Sequence, residues 1–217
     1  MDQVVVKIED GGPEQFPVTG VVLAGGASAR MGRSKAALEL RGEPLLRRVV
    51  RRLRLALPNV LVVGPPDLAT LVPDATVLPD LTPGAGPLGG LHTALRAVTT
   101  PWAFVVACDM PFVAPALVRA MARLATAHGA ADVVALRTTH GVEPLHAVYH
   151  TSCLAAVERR IATADHSMAG LLSTLTVHVV EPAEVAPYDP SGRSAFNANT
   201  PAEWQQALAL AATEDPR

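Results

Sequence analysis

The sequence predicts an α/β fold in three layers, a mostly parallel central sheet with helices on both faces. Short runs rich in Val, Leu and Ala alternate with longer amphipathic stretches, the pattern of strands buried on both faces and joined by crossover helices. Several of these runs end in turns bearing Gly or Pro, where strands stop. Length sets the scale. At 217 residues the chain can bury a core without disulfide or metal staples, so one domain is expected over 18–213, with 1–17 as an N-terminal extension.

In chain order, Val18–Leu23 reads as the first strand, closed by Gly25 and Gly26. Pro44–Leu57 follows as a helix. Its Leu45, Val49, Leu53 and Leu57 share one face, and Arg47, Arg48, Arg51, Arg52 and Arg54 lie mainly on the other, read as solvated. Val60–Val63 and Ala75–Leu78 are the next strands, the latter closed by the turn Pro79-Asp80-Leu81-Thr82-Pro83-Gly84. After the glycine-rich stretch 84–90 a helix runs to about Val98. Ala103–Ala107 is the most apolar strand, hence central, and it ends at Cys108-Asp109-Met110-Pro111. A helix from Pro115 to about His128 and a strand at Asp132–Arg137 complete a doubly wound core. Beyond it we expect a short strand at His146–Tyr149, a helix from Thr151 to about Ala162 and a strand at Thr176–Val180. Thr200-Pro201-Ala202-Glu203 is a capping box with proline at the first helical position, opening a helix to about Ala212.

Composition narrows the function. A net charge of −2 argues against a general nucleic-acid binder, which needs a basic surface to displace counterions. No apolar run approaches the roughly 20 residues that span a bilayer, and the apolar stretch Val4–Val6 is too short for a signal-peptide core. A soluble, cytoplasmic and monomeric protein is expected. Cys108 and Cys153 have no metal-ligand spacing and read as small core residues. The seven histidines, among them His92, His140, His146 and His150, form no ligand spacing, and Ser152 and Ser167 lack a nucleophile elbow. Lysine stands only at Lys7 and Lys35, and the rest of the 18 basic residues are arginine. In such a chain Lys35 looks chosen, because a flexible ammonium follows a moving phosphate where a planar guanidinium does not. A chance surface lysine is the competing explanation.

Three features carry chemistry. In an open α/β sheet, ligands bind outside the carboxyl ends of the strands. The glycine pair after the first strand is in that place, and its backbone N–H groups can approach phosphate oxygens closely. Arg30 and Lys35 add positive charge from the same segment. The loop matches neither GxxxxGK[ST] nor GxGxxG, so a purely structural turn stays open. Asp109, at the end of the central strand, is placed to offer oxygen to Mg2+ beside a triphosphate; it could instead cap the following helix. Asp80, also just past a strand, could be a binding or a turn-forming residue.

The string LAGGASARMGRSKAAL resembles the signature of nucleotidyltransferases related to molybdenum cofactor guanylyltransferase, roughly LAGGxSxRMGxDK. PDLTPGAGPLGGLHTAL, VVACDMPFV and FNANTPAEW agree with that family in order and spacing, and EPLHAVYHTSCL resembles another of its stretches, so the likeness covers about residues 18–205. The resemblance implies a Rossmann-like fold with Leu23, Ala24, Gly25 and Gly26 around the nucleotide, and Lys35 on its phosphates. It implies Asp80 on the guanine nucleotide, Asp109 on both nucleotide and Mg2+, and Asn197 and Asn199 on the second-substrate side. The implied reaction joins GTP to the molybdenum-molybdopterin cofactor and releases pyrophosphate, with Lys35, Arg30 and Asp109 as the catalytic set and molybdoenzymes or their chaperones as partners. The chain departs from the pattern at Ser34, where the family commonly has Asp, which puts a second metal ligand from this loop in doubt.

Two rival functions remain at this level. A cytidylyltransferase acting on the same cofactor, or on a sugar or polyol phosphate, is separated by one residue: guanylyl members tend to read LAGG and cytidylyl members LAAG, and here Gly25-Gly26 stands. A non-catalytic nucleotide- or cofactor-binding chaperone is the other, against which the presence of both Lys35 and Asp109 speaks.

Overall fold

A computed structural model describes residues 16–25, 35–127 and 131–214. Its centre is a seven-stranded sheet in the order β5-β4-β1-β6-β8-β7-β9, built from β1 (Val18–Leu23), β4 (Val60–Val63), β5 (Thr76–Leu78), β6 (Trp102–Ala107), β7 (Val133–Thr138), β8 (Gly141–His150) and β9 (Val177–Val180). β6 is the middle strand, and all six of its residues are buried, as its composition predicts. Every neighbouring pair runs parallel except those made by β8, which is antiparallel to both β6 and β7.

The alternation of side chains along each strand divides the core in two. On one face Val18, Val22, Phe104 and Val106 pack with Leu46, Val49 and Leu53 of α1 (Leu45–Arg54) and Leu117, Val118 and Met121 of α3 (Pro115–Ala127). On the other, Val21, Leu23, Ala103 and Val105 meet Leu88, Leu91 and Leu95 of α2 (Pro87–Ala97). Val157 of α4 (Leu154–Ala162) and Leu171 of α5 (Met168–Leu172) complete that face. The three layers are therefore those the sequence predicts. Cys108 and Cys153 are buried thiols, both pushed up to about 12 by desolvation; they are core residues, as expected.

Three departures from the sequence reading bear on the site. The strand expected at His146–Tyr149 is ten residues long and forms a hairpin with β7, interrupted where the register jumps from Ala135–Ala147 to Leu136–Glu143. That irregularity breaks the alternation by which a strand is recognised. Before α1 a small hairpin joins β2 (Glu39–Leu40) to β3 (Glu43–Pro44) through Arg41 and Gly42, both at positive φ (57° and 77°), the geometry of a two-residue hairpin turn. The arginine face of α1 is the third. Arg48 is buried; it donates to the Pro111 carbonyl at 2.9 Å and pairs with Glu214, while Arg52 donates to the Val113 carbonyl at 2.7 Å. These side chains are not simply solvated, because the loop after β6 and the end of α7 (Pro201–Ala212) cover them.

A third, smaller cluster of Leu40, Leu45, Phe112, Ala198, Ala207 and Ala211, joined by Trp204, seats α7 against the small hairpin and the loop after β6. A short α6 (Pro182–Val185) precedes this segment. Among the described residues, no helix is long and apolar enough to cross a membrane.

Candidate active site

The carboxyl ends of four parallel strands line up in one row. Leu78 pairs with Val63, Val63 with Leu23 and Leu23 with Ala107. Asp80, Gly25 and Asp109 each lie two residues past that row, so three separate loops open onto a single edge.

Asp109 is where the chain leaves the sheet. Cys108 N–H still donates to the Leu23 carbonyl at 3.0 Å, and Met110 N–H turns back to Ala107 at 3.2 Å. The helix beyond begins only at Pro115, and the Ala114 N–H before it is taken by the Ser194 hydroxyl at 2.9 Å, so Asp109 does not cap that helix. Lys35 opens a single 3-10 turn, Lys35–Ala37, and its ammonium lies 3.3 Å from Asp109 Oδ2 and 2.8 Å from Asn199 Oδ1. The Lys35 and Asp109 side chains are 17% and 15% exposed, enough to be reached by a ligand and too little to be fully screened by water. Asp109 Oδ1 is buried and accepts no hydrogen bond among the described residues.

The Asn197–Asn199 segment closes this group from the far side. Ala198 N–H donates to the Asp109 carbonyl at 2.9 Å, so one short loop touches Asp109 through its backbone and Lys35 through a side chain. Asn197 also lies beside Glu143, a half-buried carboxyl raised from its usual range by burial and, secondarily, by the Asp109 charge; the Leu145 N–H and the Asn197 amide partly offset this. The sequence reading does not single out Glu143. Its only signal is its position at the head of EPLHAVY; the break in β8 beside it is invisible in composition.

Asp80 stands apart. β5 and β6 are three strand spacings apart, about 14 Å, so Asp80 and Asp109 do not share one small ion. Asp80 Oδ1 accepts from Thr82 N–H at 2.8 Å and from the Thr93 hydroxyl at 3.3 Å, which makes it the turn-forming residue of its loop. Thr82 in turn meets His92 Nδ1 at 2.8 Å. Leu23 is buried under α2, and Ala24 N–H belongs to the Val63 carbonyl at 2.8 Å. Gly25 is exposed. Gly26, Arg30 and Ser34 lie outside the described residues.

The model of the MobA-like NTP transferase domain matches residues 20–179, from within β1 to within β9. The chain belongs to the MobA-like NTP transferase family. It is accordingly a nucleotidyltransferase. Within this family it is 35% identical over 193 residues to a probable molybdenum cofactor guanylyltransferase of Pelotomaculum thermopropionicum, covering 89% of this chain and 93% of that protein. A second protein so described, from Chloroflexus aggregans, is 35% identical over 211 residues, with 93% and 98% covered. The crystal structure of molybdopterin-guanine dinucleotide biosynthesis protein A from Archaeoglobus fulgidus superposes with a TM-score of 0.80 at 27% identity, covering 90% of this chain and all of that one. In this MobA-like domain Lys35, Asp80, Asp109 and Glu143 fall inside the matched span, whereas Asn197, Asn199 and α7 follow it.

Proposed function

We propose that this nucleotidyltransferase moves GMP from GTP to the molybdenum-molybdopterin cofactor in an Mg2+-dependent reaction, releasing pyrophosphate. The single observation that carries the reading is the meeting of Lys35, Asp109 and Asn199 at one strand edge. The names of the relatives supply the choice of guanine and of acceptor.

The residues fit a divalent cation. Asp109 offers a buried carboxylate oxygen with no other partner among the described residues. Among the described residues no group of three or more His, Cys, Asp or Glu gathers there, and an Mg2+ ion bound through one carboxylate would take most of its shell from substrate phosphates and water. Bound there, Mg2+ would withdraw charge from the phosphate oxygens it touches. Lys35 carries three N–H donors. Two face Asp109 and Asn199, and the third, without a partner among the described residues, can meet a phosphate oxygen. The glycine at 25 suits the same use: among the described residues a Cβ there would meet nothing nearer than 4.0 Å, and without one the backbone can lie close to a ligand.

In the proposed reaction an oxygen of the acceptor's terminal phosphate attacks the α-phosphorus of GTP. The new P–O bond forms as the bond to pyrophosphate breaks, and the leaving group takes that electron pair. Two anions must meet, so positioning and charge stabilisation by Lys35 and by the Arg30 assigned from sequence do most of the work. Asp80, fixed by its own loop, sits on the nucleotide side, and Asn197 with Asn199 on the acceptor side. The test is pyrophosphate release from GTP, CTP and ATP with the cofactor and Mg2+. GTP-dependent release that chelation abolishes is expected; a strong preference for CTP would move the assignment to a cytidylyltransferase.

A further inference from the structure

The capping box that opens α7 does more than start a helix. In an ordinary box the glutamate three residues into the helix accepts the N–H of the cap residue. Here Glu203 Oε2 accepts two, from Thr200 at 2.8 Å and from Asn199 at 2.8 Å. The second bond reaches one residue beyond the helix, to the asparagine whose side chain holds Lys35.

On the other side of Asn199, Ala198 N–H is fixed to the Asp109 carbonyl at 2.9 Å. Two consecutive N–H groups are thus tied down, one to the strand edge and one to α7. The backbone between them has little freedom, and Asn199 Oδ1 is aimed at the ammonium. The carboxyl of Glu203 is held below its usual range chiefly by the Thr200 N–H, with further help from the Asn199 N–H and the charge of Lys35. Lys35 needs such a guide, because its four-carbon stem is flexible and the phosphate it serves must be met in one place.

We propose that Glu203 is a positioning residue of the transferase, setting the Lys35 ammonium through Asn199. The proposal rests on Lys35 serving the triphosphate, as above, and it makes the first turn of α7 part of the catalytic apparatus. Glu203 touches no substrate. It acts by relay: carboxylate to Asn199 backbone, Asn199 amide oxygen to Lys35, Lys35 to phosphate.

Thr200→Ala and Glu203→Ala both break the capping box, but only the second frees Asn199, and this separates positioning from helix capping. Both should lower the melting temperature by similar amounts. Glu203→Ala should in addition lower kcat on the order of 10- to 100-fold, the usual effect of losing an outer-shell support, with the KM for GTP little changed. Glu203→Gln, which retains an acceptor oxygen, should restore most of kcat, and Thr200→Ala should keep it. Because the chain has only Lys7 and Lys35, lysine labelled with 13C at Cε gives two NMR signals, and Lys7→Arg identifies that of Lys35. In the ligand-free protein that signal should move in Glu203→Ala and Asn199→Ala and stay in Thr200→Ala. Equal responses of kcat and of the Lys35 signal to Thr200→Ala and Glu203→Ala would overturn the proposal. Absence of pyrophosphate from the wild-type protein would instead sink the assigned reaction, while the NMR comparison would still decide whether Glu203 sets Lys35.

Discussion

The two halves of the sheet build the site by different means. From β5 to β6 the strands are parallel, and the turns at two of their carboxyl ends start with bonds to nearby residues: Asp80 to Thr82 and Thr93, and Met110 N–H to Ala107. Beyond β6 the contacts that close the site join distant segments as well. Asn199 reaches Lys35 across most of the chain, Ser194 meets both Ala114 and the fully buried His146, and Glu143, just past a break in register, feels the charge of Asp109. A loop at a strand end can be specified by a few adjacent residues, whereas a wall assembled from distant segments depends on the completed fold.

The sharpest way to break this contrast is at the point where the halves meet. Lys35→Ala and Asp109→Ala should each leave a folded protein whose turnover with GTP, cofactor and Mg2+ falls on the order of 10² to 10³; wild-type turnover in either folded variant would remove both from the catalytic set. Next in size is Gly89→Ala on the parallel side. A Cβ at 89 would lie 2.6 Å from the Thr82 carbonyl oxygen and 3.1 Å from both Asp80 carboxylate oxygens, so the loop must shift, at about 1–3 kcal/mol, measurable by urea denaturation. A neutral result would mean that the Asp80 loop is less fixed than its hydrogen bonds imply.

Two smaller effects probe the distant side. Burial holds the His146 imidazole down from 6.5 to about 4, so the folded protein resists protonation that the unfolded chain accepts. The His146 contribution is therefore intact above pH 6.5 and lost as pH falls toward 4. The urea midpoint should drop across that window in the wild type and less in His146→Gln; identical slopes would show that His146 is not the titrating group. Glu143 should give the smallest shift. Its ionised form is disfavoured by burial, so Glu143→Gln should slightly raise stability at neutral pH while weakening use of the acceptor, as expected where charge is kept for function. A loss of stability would argue that the carboxylate is structural.

The legibility of the sequence follows the same division. The apolar runs Val18–Leu23 and Ala103–Ala107, with a turn expected after each, were enough to place Asp109 and Gly25 at one edge and to make β6 the centre. Lys35 stood out because lysine is scarce. Glu143 did not, because β8 loses its alternation where that residue enters the site. The arginines of α1 looked solvated because the residues that cover them, Pro111, Val113 and Glu214, come from far along the chain. The hairpin at Arg41-Gly42 escaped notice because an arginine is not the residue type expected at positive φ.

β8, the strand that runs antiparallel within the described central sheet, also has a consequence for synthesis. Residues up to Ala107 are enough for the four parallel strands β5-β4-β1-β6, and until His150 has emerged the wholly buried β6 is a bare, apolar edge. Such an edge invites pairing with another nascent chain. Between Ala107 and His150 that edge of the polypeptide is therefore open to such pairing, and the arrival of β8 ends this by supplying a partner strand from within the same molecule.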